Sequence, residues 1–223
     1  MRRSLRTFCL LSALSVSACS VSETAMNSQP TSPTDAAEAA GPDTAALAAK
    51  YRRNPAPKQP YRVLVKVAQA PGPLASVRGF AKYEAPDCEY IPNPVAGVVT
   101  HPMQALDLEF SRLDDTTYAA TVYADALLDE DYLGKGVCHW QVASVAAELK
   151  ASGAQADTAF LSNLAGDELR AHGTRTKYYD KAHYPRAGMD DFPDSGSPDP
   201  ARFQPEQRAA LFTISMTAEA GTP

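Results

Sequence analysis

The sequence predicts an all-β fold, an antiparallel β-sandwich of about seven to eight strands with one disulfide and at most short helices. Three observations lead to this prediction. From Tyr61 onward apolar residues mostly alternate with polar ones, which is the period of a strand. Turn-forming residues separate the alternating segments, and no long segment has the helical period. Residues 61–223 are also numerous enough to bury about two-thirds of their unfolded surface in one domain.

The predicted strands follow one another along the chain. The first is marked by Tyr61, Val63, Val65 and Val67, and a Pro-Gly-Pro turn follows it at 71–73. Further strands are predicted at 77–83, 106–110, 116–124, 137–149, 158–161, 174–184 and 211–217. One or two helical turns are predicted within 161–171.

The N-terminus is typical of a secretory signal. Three arginines within the first six residues precede an apolar run, 8–18, that is too short to span a bilayer. The run ends in Val16-Ser17-Ala18-Cys19, which resembles the lipobox of bacterial lipoproteins. The resemblance implies removal of residues 1–18 and a lipid on Cys19. Because Ser20 follows, it also implies the periplasmic face of the outer membrane. The alternative is an ordinary signal peptide cut elsewhere.

Residues 19–60 are predicted to form a flexible tether. They are rich in Ala, Ser, Thr, Pro, Asp and Glu and contain almost no large apolar side chain. Such a composition does not bury enough surface to offset the entropy of ordering. A coil of roughly 40 residues spans about 35 Å, which would hold the domain clear of the lipid.

Two cysteines remain in the predicted domain, Cys88 and Cys138. An even pair in an oxidising compartment favours a disulfide. Closing a loop of about 50 residues is worth about 4 kcal/mol in the chain-entropy model. A reactive or metal-binding thiol pair is the alternative.

Charge and motifs exclude several functions. The net charge of −5 becomes −8 without the three signal-peptide arginines, which argues against nucleic-acid binding. The sequence contains no nucleophile elbow, SxxK, HExxH or Walker motif, and its four histidines lack metal-ligand spacing. We therefore predict no catalytic residues, no metal and no cofactor.

An acidic segment, Asp129, Glu130, Asp131 and Tyr132, is the first candidate site. It starts like a calcium-binding loop, but the fifth and twelfth positions are Leu133 and Trp140, which supply no carboxylate ligand. Three interpretations remain: a solvated hairpin tip, a weak cation site or a contact patch for a partner.

The second candidate lies in the long loop 185–208, where acidic residues surround Phe192. A loop of this length is usually either disordered or functional. Its candidate contact residues are Asp190, Asp191 and Phe192.

The third candidate is basic and aromatic. In a strand, the side chains of Arg175, Lys177, Tyr179 and Lys181 fall on one face. This face is either a charged edge that prevents sheet-to-sheet aggregation or a contact surface, because Tyr and Arg often carry binding energy.

A lipobox, a spacer and a small disulfide-bonded β-domain without catalytic groups resemble, in layout, periplasmic immunity lipoproteins and lysozyme-inhibitor lipoproteins. The resemblance implies a module that binds and neutralises an antibacterial effector or a cell-wall hydrolase in the periplasm. One alternative is an envelope assembly accessory that binds a resident outer-membrane protein. Another is a hydrolase that uses Asp129, Asp131 and His139.

Overall fold

The structure, a computed structural model, describes residues 43–222. The predicted signal peptide 1–18, the predicted lipid-bearing Cys19 and residues 20–42 of the predicted tether lie outside the described residues. Two five-stranded sheets face each other, with strand orders β4-β5-β1-β10-β8 and β3-β2-β6-β7-β9. All neighbouring strands are antiparallel except β7 and β9, which are parallel.

The elements have the following bounds. The strands are β1 (Pro60–Ala68), β2 (Ser76–Glu84), β3 (Met103–Leu108), β4 (Ser111–Arg112), β5 (Thr117–Tyr123), β6 (Gln141–Lys150), β7 (Ala159–Ala165), β8 (Thr174–Asp180), β9 (Pro193–Asp194) and β10 (Leu211–Ala220). The helices are α1 (Thr44–Ala48) and α2 (Gly166–Arg170), with 3-10 helices at Lys181–His183, Pro200–Arg202 and Arg208–Ala210.

The prediction of a mainly antiparallel β-sandwich with short helices is confirmed. Each predicted strand overlaps an observed one, because alternation of apolar and polar residues directly reports which side chains face the core. The two-residue strands β4 and β9 were not predicted, since so short a segment has no measurable period.

The core lies between the sheets and is built from the inward side chains of both. Val63, Val65 and Ile214 come from one sheet and are fully buried. An aromatic cluster joins the sheets: the Phe160 ring of β7 lies 5.7 Å from Tyr179 of β8 and 5.0 Å from Phe212 of β10, between ring centroids. The edge-to-face geometry of both contacts is the arrangement that aromatic quadrupoles favour.

The disulfide between Cys88 and Cys138 is present, as predicted, with the Cα atoms 5.4 Å apart. Both cysteines are buried. It joins the loop that follows β2 to the segment that precedes β6. The two segments are 50 residues apart in the chain but meet at the same end of the sandwich.

The predicted tether differs from the structure over residues 43–60, which pack on the sandwich. Leu47 of α1 is buried, and the Tyr51 ring meets the Trp140 ring edge to face at 4.9 Å. The Asn54 backbone N–H donates to the Ala126 carbonyl oxygen at 2.8 Å. Two apolar side chains and backbone hydrogen bonds hold this segment, and a composition averaged over 42 residues does not reveal such contacts.

Candidate functional site

One end of the sandwich brings together three separate segments. They are the loop 85–102 between β2 and β3, the segment 129–140 before β6, and α1. The disulfide links the first two, and the Cys138 N–H donates to the Glu130 carbonyl oxygen at 3.0 Å. We call this region the disulfide end.

The most exposed part of the disulfide end is residues 91–99, here named the aliphatic loop. Its exposed fractions are 40% for Ile91, 90% for Val95, 61% for Val98 and 52% for Val99. No charged residue occurs between Glu89 and His101. Contiguous exposed aliphatic surface without charge is unusual in a soluble domain and marks interaction sites.

The aliphatic loop has a defined shape. At its base Tyr90 and Thr100 exchange two backbone hydrogen bonds of 2.9 Å, and the Tyr90 ring is buried. At its tip the Asn93 side-chain oxygen accepts from the Val95 N–H at 3.0 Å, and Gly97 takes φ of 65°. A side chain at that φ would be strained, so glycine permits the turn.

A cleft of about 1080 Å³ lies beside the aliphatic loop, between α1 and the segment 129–135. Leu47, Tyr90 and Tyr132 form part of its wall and are themselves buried. Charged residues of the lining are Asp43, Lys50, Glu89, Glu130, Asp131 and Lys135. Carboxylates therefore outnumber ammonium groups around a partly apolar interior.

The acidic candidates from the sequence lie at this cleft or next to it, but several stabilise the protein itself. Asp129 accepts from the Trp140 N–H at 2.9 Å, and Glu130 lies 3.3 Å from the Arg52 guanidinium. Asp131 accepts from the backbone N–H groups of Leu133 and Lys135. These contacts are those of a well-ordered turn.

Tyr132 is held as firmly as the acidic residues. Its ring packs edge to face on Tyr51 at 5.1 Å, and its hydroxyl donates to the Leu128 carbonyl oxygen. Within residues 43–222, no group of three or more His, Cys, Asp or Glu side chains is arranged to hold a metal ion. The contact-patch interpretation stays a prediction.

His139 lies beside the disulfide and outside the cleft lining. Its side chain is 66% exposed, and its Nδ1 lies 2.6 Å from Oδ2 of Asp87. The hydrogen bond to Asp87 raises the pKa of His139, although desolvation opposes it, and the same bond lowers the pKa of Asp87. The pair fastens the two disulfide-linked segments together a second time.

The predicted basic surface at 175–181 requires a correction. Tyr179 is fully buried in the aromatic cluster, and its hydroxyl donates to the Leu161 carbonyl oxygen at 2.9 Å. Burial raises the pKa of this phenol. Lys177 is partly buried and donates to the Ser195 carbonyl oxygen at 3.1 Å. That face of β8 is directed into the protein rather than toward a partner.

The other two residues of this set have separate surroundings. Arg175 forms an ion pair with Glu168 of α2 at 2.9 Å, and Lys181 lies beyond the strand in a 3-10 helix. The outer edge of β8 is covered at Tyr178, which exchanges two backbone hydrogen bonds with Ser197. The alternation of side chains along β8 predicted correctly which residues share a face of the strand. It does not indicate which of the two faces is directed toward the core of the sandwich.

The long loop 185–208 is tied down along its length. The buried Lys150 ammonium lies 2.5 Å from the Asp191 carboxylate, and the Phe192 carbonyl oxygen accepts from the Ala159 N–H. The Phe192 ring lies 5.2 Å from the ring of His183. Of the three candidates here, Asp190 is exposed, while Asp191 and Phe192 engage residues of the domain. The loop covers the edge of β7.

Sequence reasoning missed the aliphatic loop and the contribution of α1. A signal was present: Ile91, Val95, Val98 and Val99 stand among prolines, an asparagine and a glycine, which disfavour a buried strand. Aliphatic residues in a turn-rich segment beside a disulfide are therefore expected at the surface.

No protein-family model matches this chain, and neither does any curated protein or solved structure. Across residues 43–222 no helix combines the length and apolarity that a membrane span requires.

Proposed function

We propose that this chain is an outer-membrane-anchored periplasmic lipoprotein that acts by binding a protein, as an immunity protein or inhibitor. Its target would be an antibacterial effector or a cell-wall hydrolase. The observation that carries the proposal is the aliphatic loop, a charge-free and exposed apolar surface on a firmly held base.

The energetics of the loop suit recognition by a protein. Fully burying one valine or isoleucine side chain is worth about 1.5–3 kcal/mol. Because hydrogen bonds and the disulfide already fix the loop, binding loses little conformational entropy. Acidic groups line the cleft beside the loop, and an apolar centre next to polar groups is the usual anatomy of a binding surface.

The lipid anchor adds location to this binding surface. A lipid on Cys19 would hold the domain where secreted effectors enter the periplasm. We expect Cys19→Ala to give an exported protein that is not membrane-bound, measured by fractionation and by incorporation of labelled palmitate. Equal labelling of the variant and the unaltered chain would overturn the anchoring proposal.

The inhibitory role is tested with the mature chain carrying Cys19→Ala, which is soluble without the lipid. It is added to a muramidase, an amidase and an endopeptidase, each digesting purified peptidoglycan while turbidity is followed. We expect near-stoichiometric inhibition of one of these classes. The double variant Val95→Asp with Val98→Asp should weaken it at least about tenfold, since it places charge at the centre of the contact.

Leu113→Asp is the matched control, because Leu113 is 50% exposed and lies in the turn between β4 and β5. Thermal melting verifies that all variants fold. Undiminished inhibition by the double variant would contradict the assignment of the loop. So would an equal loss of inhibition in Leu113→Asp. If no hydrolase class is inhibited, the inhibitor proposal for cell-wall enzymes fails, and a stable complex with a resident outer-membrane protein would support the accessory role instead.

A further inference from the structure

We propose that the cleft beside the aliphatic loop receives a basic, partly apolar segment of the protein partner. A lysine or arginine of that segment would lie at the carboxylates, with aliphatic neighbours against Leu47 and Tyr132. This inference rests on the proposed function, since the segment belongs to the protein that the aliphatic loop contacts.

Charge is the first argument. Four carboxylates, from Asp43, Glu89, Glu130 and Asp131, line the cleft against the two ammonium groups of Lys50 and Lys135. Glu130 is already paired with the Arg52 guanidinium at 3.3 Å. Asp43 caps α1 and Asp131 caps its own turn, so both are held in place by backbone N–H groups. Glu89 is exposed and forms no ion pair with any residue between 43 and 222. Its carboxylate is thus available to a cation.

The cleft wall is the second argument. Tyr90 and Tyr132 contribute to the lining, and Tyr51 packs behind Tyr132. Aromatic faces attract cations, and a lysine or arginine also offers an aliphatic stem to an apolar wall. The cleft therefore matches both parts of such a side chain.

The same observations disfavour a phospholipid surface as the occupant. Anionic headgroups would meet the carboxylates of Glu89 and Glu130, and residues 91–99 contain no lysine or arginine to attract them. The aliphatic loop also lacks the tryptophan and tyrosine that anchor proteins at the membrane interface. A basic protein segment satisfies both the charge and the apolar surface.

The test uses the ¹⁵N-labelled mature chain with Cys19→Ala and two synthetic decapeptides. One alternates lysine with leucine, and the other alternates glutamate with leucine. We expect the lysine peptide to shift the amide resonances of Glu89, Tyr90 and Leu133, and the glutamate peptide to leave them unmoved. Glu89→Lys should raise the dissociation constant about fivefold or more at low salt.

Glu109→Lys changes the net charge equally and is the control, because Glu109 is exposed in the turn after β3, beyond the cleft. Its dissociation constant should match that of the unaltered chain. Equal binding of both peptides, or unmoved cleft resonances, would overturn the proposal. So would binding to phosphatidylcholine vesicles that Val95→Asp abolishes, since that result assigns the disulfide end to lipid.

The two proposals fail separately. If the lysine peptide binds the cleft but no hydrolase is inhibited, the cleft inference stands without the inhibitor role. If inhibition depends on Val95 and Val98 while the peptide does not shift the amide resonances of the cleft, the inhibitor role stands without this occupant.

Discussion

The aliphatic loop 91–99 and the long loop 185–208 are both proline-containing segments without a strand longer than two residues, yet their surroundings differ. Polar groups of the long loop bind residues of the domain: Asp191 forms an ion pair with the buried Lys150, and Asp194 lies 2.8 Å from His183. The aliphatic loop is fastened at its base and leaves its side chains exposed. The comparison shows that composition alone does not distinguish the two loops. The contacts of their side chains do: those of the long loop bind the domain, which indicates a structural role, and those of the aliphatic loop stay exposed, as the proposed binding role requires.

The largest expected effect comes from loosening the base of the aliphatic loop. Cys88→Ser with Cys138→Ser should lower the free energy of unfolding by about 2–4 kcal/mol, because a loop of 50 residues is no longer closed in the unfolded chain. The melting temperature should fall by roughly 5–15 °C. An unchanged melting temperature would show that the remaining contacts suffice.

The second effect concerns the long loop. Asp191→Asn should lower the free energy of unfolding by about 1–2 kcal/mol, because Lys150 is 5% exposed and would lose its ion-pair partner. Asn tolerates the φ of 53° at this position, so the backbone is not the variable. Denaturant unfolding measures the change. Asp190→Asn, at the exposed neighbour, is the control and should leave stability unaltered.

A smaller effect is the pH dependence of the His139–Asp87 pair. In the folded protein the pKa of His139 is raised above its ordinary 6.5. Its contribution to the free energy of unfolding is therefore complete below pH 6.5 and is lost as pH rises through the folded pKa. The pKa of Asp87 is lowered, so its contribution is lost as pH falls through that lower value. Asp87→Asn should return the pKa of His139 toward 6.5 in an NMR titration. A titration curve identical to that of the unaltered chain would contradict the pairing.

The smallest effect on stability is expected at the aliphatic loop itself. Val95 is 90% exposed, so Val95→Asp should change the free energy of unfolding by less than about 0.5 kcal/mol. Denaturant unfolding should therefore not distinguish this variant from the unaltered chain, although we expect the proposed binding to weaken. A destabilisation comparable to that of Asp191→Asn would show that the two loops do not differ as argued.

The sequence predicted the parts of the fold that follow from a regular pattern or from residue counts. Alternation located the long strands, and an even cysteine pair located the disulfide. It did not predict that Tyr179 lies in the core, because a strand with polar residues on both faces gives no indication of its inner face. It also did not predict that Leu47 and Tyr51 dock, because such contacts depend on Trp140, 89 residues farther along the chain than Tyr51.

The candidate site was predicted only in part for the same reason. Residues 129–132 were identified from their local run of acids, and they do lie at the disulfide end. The cleft itself requires α1, the loop after β2 and the turn before β6 together. No pattern within one segment reports that three segments meet.

The Cys88–Cys138 bond joins the loop after β2 to the segment before β6, and both segments line the cleft. The full rigidity of the proposed binding surface therefore depends on oxidation of these two thiols. While the thiols stay reduced, as they do in the cytosol, the aliphatic loop lacks its covalent support. Formation of this one bond thus fixes the shape of the exposed apolar surface at residues 91–99.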